Sequence, residues 1–73
     1  MTRFMQDIDA VLGGLPEFLT TREVCALLRI KDETLFEWVK EGKFPRPLRP
    51  TSRTSRWPKV SVRRWLLDNA RAD

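Results

Sequence analysis

Two helical patterns between Thr20 and Gly42 are separated by only three residues, Arg29-Ile30-Lys31. So short a break leaves no room for a strand, and it holds the two helices at a steep angle over one shared core. Thr20 can cap the first helix while Glu23 returns the bond three positions on, a capping box in front of Val24, Ala26, Leu27 and Leu28. Ile30 is a suitable apolar plug between the helices, and Asp32 is expected to cap the second, which runs to about Glu41. Gly42 closes it as the left-handed residue past the end. In that second helix Leu35, Trp38 and Val39 recur three and four positions apart and face inward. Asp32, Glu33, Phe36, Glu37 and Lys40 then face outward.

Pro45, Pro47 and Pro50 exclude a helix from the stretch that follows. Leu48-Arg49 and Thr54-Ser55-Arg56-Trp57 are expected as two short strands joined by Pro50-Thr51-Ser52-Arg53, a small hairpin or wing. A last helix is expected from about Ser61 to Ala70, with Val62, Trp65 and Leu66 inward and Arg63 and Arg64 opposite. Trp38, Trp57 and Trp65 each lie on a pattern that points in, which makes them core anchors. Upstream, Phe4, Met5, Ile8, Val11, Leu12 and Leu15 recur at helical spacing until Gly13-Gly14 stops the pattern. The fold expected is mainly α with a small β-hairpin wing. Residues 1–15 form a short amphipathic segment, residues 16–73 form the domain, and loss of residues 1–14 is expected to leave that domain folded.

Charge is placed unevenly along this chain. From Lys43 to Arg64 come Lys43, Arg46, Arg49, Arg53, Arg56, Lys59, Arg63 and Arg64 without one acidic residue among them. An acid-free stripe of that kind, directly after a helix-turn-helix pattern, is a footprint for phosphate and points to double-stranded DNA.

Other classes find little support. With 73 residues there is room for one domain, and such a chain buries only about 60% of the surface its unfolded form exposes. It contains no His and no Tyr, no glycine-rich phosphate loop and no paired carboxylates suited to a pocket, so no catalytic set, cofactor site or metal site is expected. The single cysteine allows no internal disulfide; Cys25, among Val24, Ala26, Leu27 and Leu28, reads as a small buried apolar residue in a reducing compartment. The first residues turn acidic too early for a secretory signal, and no apolar run approaches the roughly 20 residues of a membrane span. A cytoplasmic protein without a membrane partner is expected.

Helix, three-residue turn and helix, then Lys40-Glu41-Gly42-Lys43-Phe44-Pro45, Arg56-Trp57 and a helix with Val62 and Trp65, resemble the excisionase and AlpA-like regulators over about residues 18–70. These are small winged helix-turn-helix proteins with a MerR-type core, found in prophages and integrative elements. The resemblance implies that the second helix enters the major groove while the wing grips the adjacent minor groove or backbone. It also implies the activity: directing a tyrosine-family integrase toward excision, or regulating mobile-element promoters. Arg53 falls on the family's wing arginine and Thr34 on the threonine of its recognition helix, whereas Lys31-Asp32-Glu33 and Glu37 depart from its usual pattern.

Affinity for DNA comes largely from neutralised phosphates, and sequence is read at base edges. Arg53 at the turn is expected to enter a narrow minor groove, with Arg49 and Arg56 on the flanking phosphates. Thr34 and Lys40 suit phosphate contacts, Phe36 suits a thymine methyl, a sugar or packing under the wing, and Glu33 or Glu37 suits a cytosine amino group, against a solvated face for both carboxylates. Arg22, Lys31, Lys43 and Arg46 complete the expected contact set. Neighbouring copies are expected to load head-to-tail on DNA. The alternatives are a promoter regulator of the same fold, and a protein-binding adaptor that docks through Phe4, Met5, Ile8, Val11 and Leu12.

Overall fold

The computed structural model describes residues 2–70, with side chains from Met5 onward, so the side chain of Phe4 and residues 71–73 lie outside the described residues. In chain order the elements are α1 (Thr2–Leu12), β1 (Phe18–Leu19), α2 (Thr21–Leu28), α3 (Asp32–Lys40), β2 (Leu48–Thr51), β3 (Thr54–Pro58) and α4 (Lys59–Ala70). The strands form one antiparallel sheet in the order β1-β3-β2.

Both halves of the capping box are present at α2. The Thr20 hydroxyl accepts from the Glu23 amide at 3.1 Å, and the Glu23 carboxylate accepts from the Thr20 amide at 2.9 Å. The three-residue break works because Arg29 takes the left-handed conformation, φ 58° and ψ 48°, and turns the chain at once. Ile30 then packs against the core as expected. Asp32 does not cap α3. Lys31 occupies the capping position without a side-chain bond, and Asp32 becomes the first helical residue, its carboxylate accepting from the Cys25 thiol at 3.3 Å. Near the positive end of α3 that carboxylate still favours the helix through the dipole. Gly42, at φ 77°, ends the helix in the left-handed conformation.

Three boundaries differ from the sequence reading. β1 was not expected: two residues cannot display a period, and Phe18-Leu19 is a strand only because it pairs with Pro58 and Trp57 of β3. The hairpin turn is tighter than Pro50 to Arg53. Thr51 pairs with Thr54, leaving Ser52 and Arg53 at the tip, and Pro50 is tolerated because β2 is an edge strand. α4 begins at Lys59 rather than Ser61, since the Lys59 amide donates to the Glu17 carbonyl at 2.7 Å and the helix starts straight from the strand.

The core joins every layer: Ile8, Leu12, Leu19, Val24, Cys25, Leu35, Phe44, Trp57 and Val62. Trp57 is fully buried and donates its indole N–H to the Pro45 carbonyl at 2.9 Å. Phe44 fills the space beside it, edge-on to Trp65 with ring centroids 4.9 Å apart, while Trp65 stacks on Trp38 at 6.1 Å. All three tryptophans therefore anchor the core, although Trp38 and Trp65 are only half-buried.

α1 shares that core. Among the described residues of the expected apolar stripe, Ile8 and Leu12 are buried, with Leu15 packed beside them, and Met5 and Val11 remain exposed. Two cations of the basic stripe hold this helix down. Lys59 donates its ammonium protons to the carbonyls of Leu12 and Leu15 at 3.2 and 2.8 Å, and Arg63 pairs with Asp9 at 2.7 Å. The Leu12 carbonyl also accepts from the Leu15 amide at 2.9 Å, so the lysine adds a charged donor where the helix end turns toward β1.

Candidate nucleic-acid interface

With Leu35 fully buried and Trp38 and Val39 packed on the core, α3 must present its opposite side outward. Glu33, Phe36, Glu37, Lys40 and Glu41 surround a shallow depression there. A second groove runs between this helix and the wing, lined by Phe36, Val39, Lys40, Arg46, Pro47 and Arg49. Phe36 and Lys40 belong to both, so the helix face and the wing form one continuous surface. Phe36 packs with its ring tilted against Trp57 at 6.1 Å, while 39% of the residue stays exposed on the surface.

The wing is held by its own polar side chains. Arg49 donates to the Ser52 carbonyl at 2.7 Å, and the Thr51 hydroxyl donates to that of Thr54 at 2.9 Å. The Arg53 amide donates to the Thr51 hydroxyl at 3.2 Å, which leaves the Arg53 guanidinium exposed at the tip. Half-buried Arg56 donates to the Ser55 carbonyl at 2.9 Å. Neither tip residue has a positive φ, so the turn lacks the mirror-image twist that two-residue hairpins favour. The register of the hairpin shifts between Leu48 and Thr51.

The tertiary structure divides the basic stripe. Arg46, Arg49, Arg53 and Arg56 lie on or beside the wing with Lys40 across the groove, whereas Lys59 and Arg63 are committed to α1. Arg64 lies on α4 beside Asp68, 3.7 Å away. Lys43 opens onto a different groove, with Trp38, Gly42, Trp65 and Asn69, and pairs with Glu41 at 3.2 Å. Arg22 on α2 and Lys31 before α3 are exposed, and Thr34 is half-buried in the first turn of α3. Val39 and Pro47 line the central groove as well; in sequence Val39 reads only as core and Pro47 only as a helix breaker.

Burial and the nearby Asp32 carboxylate push the Cys25 thiol up to about 11, which keeps it a neutral, structural group. The hydrogen bond and charge of Arg63 hold Asp9 below its ordinary value. Among the described residues no three His, Cys, Asp or Glu side chains converge as a metal site, and no helix is long and apolar enough to cross a membrane.

Two helices crossing at a three-residue turn, a three-stranded sheet whose hairpin projects beside the second helix, and arginines along that hairpin define a winged helix-turn-helix, a DNA-binding domain. Residues 18–70 match a family model described as a helix-turn-helix domain, and the chain belongs to that family, whose domain supports sequence-specific DNA binding. No curated protein and no solved structure matches the chain.

Proposed function

We propose that this protein is an excisionase of a mobile element: it binds and bends attachment-site DNA so that a tyrosine-family integrase is directed toward excision. The observation that carries the reading is the single surface on which the outer face of α3 and an arginine-rich wing meet across one groove. That surface matches what the sequence resemblance over residues 18–70 implies for small winged regulators of prophages and integrative elements. In this reading α3 enters the major groove with Thr34 and Lys40 on its phosphates, and Arg53 reaches the adjacent minor groove from the wing tip. Arg46, Arg49 and Arg56 neutralise the backbone between, and Arg22 and Lys31 flank it. Copies load side by side in one orientation, and a bend shared among them brings distant integrase sites together.

Gel shifts on an attachment-site fragment are expected to give a ladder of complexes whose mobility depends on where the site lies in the fragment. Excision by the cognate integrase is expected to rise in step. A single complex on a promoter, with unbent DNA and no change in recombination, would make the protein an AlpA-like transcriptional regulator instead. Absence of salt-dependent retention on short duplex DNA would point to the protein-binding adaptor.

A further inference from the structure

The two halves of the surface carry opposite charge. Along the wing groove stand Lys40, Arg46 and Arg49; around the depression on α3 stand Glu33, Glu37 and Glu41 with the same Lys40. Phe36 is common to both, so a strand laid along the cationic groove passes directly beside the carboxylates.

These acids are not equivalent. Glu41 pairs with Lys43 at 3.2 Å. Glu33 belongs to the first turn of α3, where the helix dipole favours a negative charge. Glu37 has neither advantage. It lies mid-helix, one turn after Glu33, so that two like charges sit at i and i+4, an arrangement that destabilises a helix. No ion pair joins it to another described residue. Lys40, three positions on, is a favourable neighbour along the helix but forms no ion pair with it, so the Glu37 carboxylate stays free on a surface that must approach phosphate.

An ionised carboxylate is an acceptor only. In the major groove guanine shows it two acceptors, thymine an acceptor and a methyl, and adenine an amino group beside an acceptor. Cytosine alone presents an amino donor without an acceptor of its own alongside. Resting on the DNA-binding reading above and deepening it, we propose that Glu37 is the residue that selects the site, by accepting a hydrogen bond from a cytosine amino group. The same carboxylate lowers affinity for every sequence that lacks cytosine at that position. The wing then supplies attraction to any DNA, while Glu37 supplies discrimination.

The test is selection from a duplex library randomised over about one helical turn, carried out in parallel with the wild-type chain, Glu37→Gln and Glu33→Gln. Both substitutions fall at exposed positions of α3, and the folding of all three proteins is checked by circular dichroism. The wild-type protein is expected to enrich a cytosine at one fixed position, and replacing that C·G pair by T·A is expected to lower affinity about tenfold or more. Glutamine, which both donates and accepts, suits the adenine edge; Glu37→Gln is expected to move the enrichment from cytosine toward adenine and to raise affinity for random duplex severalfold. Glu33→Gln is expected to keep the cytosine. Identical base preferences in the wild-type protein and Glu37→Gln, or a shift produced by Glu33→Gln alone, would overturn the assignment while leaving DNA binding intact. Failure of the wild-type protein to retain random duplex even at low salt would overturn the DNA-binding reading itself, and this assignment with it.

Discussion

Arg63 of α4 and Asp9 of α1 are 54 positions apart in the chain and meet at 2.7 Å. Together with Lys59 on the carbonyls of Leu12 and Leu15, this contact turns part of a basic stripe from DNA contact to internal fastening. The N-terminal helix is thereby fixed to the helix that follows the wing.

The ion pair makes the docking of α1 sensitive to acid. Because Arg63 lowers the pKa of Asp9 in the folded state, the stabilising contribution is present above the ordinary carboxylate value of 3.8 and is lost as pH falls through and below it. The pair is exposed, so the effect is small and screened by salt. Thermal melts followed by circular dichroism should show a shallower acid-side decline for Asp9→Asn than for the wild-type protein, and the difference should shrink at high salt.

Burial of α1 against the core is the larger effect. Leu12, only 3% exposed, should cost about 2 to 5 kcal/mol when replaced by alanine, measured by urea unfolding. In a domain whose whole stability is on the order of 5 kcal/mol, removal of residues 1–14 is expected to lower the melting temperature sharply instead of leaving the remainder unaffected. A truncation as stable as the full chain would show that the packing of Ile8 and Leu12 contributes little.

The indole of Trp57 makes a directional bond that phenylalanine cannot. Trp57→Phe strands the Pro45 carbonyl and opens space beside Phe44, and should cost about 1 to 3 kcal/mol in urea unfolding. Trp38→Phe, at a half-buried position, should cost less.

Of the proposed phosphate contacts, five lie along the groove and the wing: Lys40, Arg46 and Arg49 line the groove, and Arg53 and Arg56 belong to the hairpin. The log of affinity for random duplex should fall against the log of salt with a slope of about −4 to −5. Arg53→Ala should weaken binding by about 1 to 3 kcal/mol and reduce that slope by about one. Arg64→Ala, on the outer side of α4 beside Asp68, should change neither. Fluorescence-anisotropy titrations across a salt series measure both quantities.

Cys25 should behave as a buried thiol. Its pKa is raised from 9.0 to about 11 in the folded chain, so it should react with a thiol reagent far more slowly near neutral pH than it does in denaturant. The stabilising contribution of the neutral thiol is present below 9.0 and is lost as pH rises toward 11. Cys25→Ser should lower the melting temperature while leaving DNA affinity unchanged.

Local chemistry alone determined the helix-turn-helix. The capping box of Thr20 and Glu23, the break at Arg29-Ile30-Lys31, the inward stripe of Leu35, Trp38 and Val39, and the stop at Gly42 are each written within a few residues of one another. Interactions spanning three or four positions need no knowledge of the rest of the chain. The presence of a hairpin after the prolines was legible for the same reason.

What the tertiary structure decided are the features whose partners are distant in sequence. Phe18-Leu19 becomes a strand because β3 passes beside it, and Phe44, in a loop without periodicity, becomes core because Trp57 and Trp65 enclose it. The same holds for charge. A lysine or arginine in a run looks like every other one, yet Lys59 and Arg63 meet α1 while Arg46 and Arg49 face α3 across a groove. Sequence carries the sign and number of charges; only the packing of helix on helix decides which of them water, a carboxylate or a phosphate can reach.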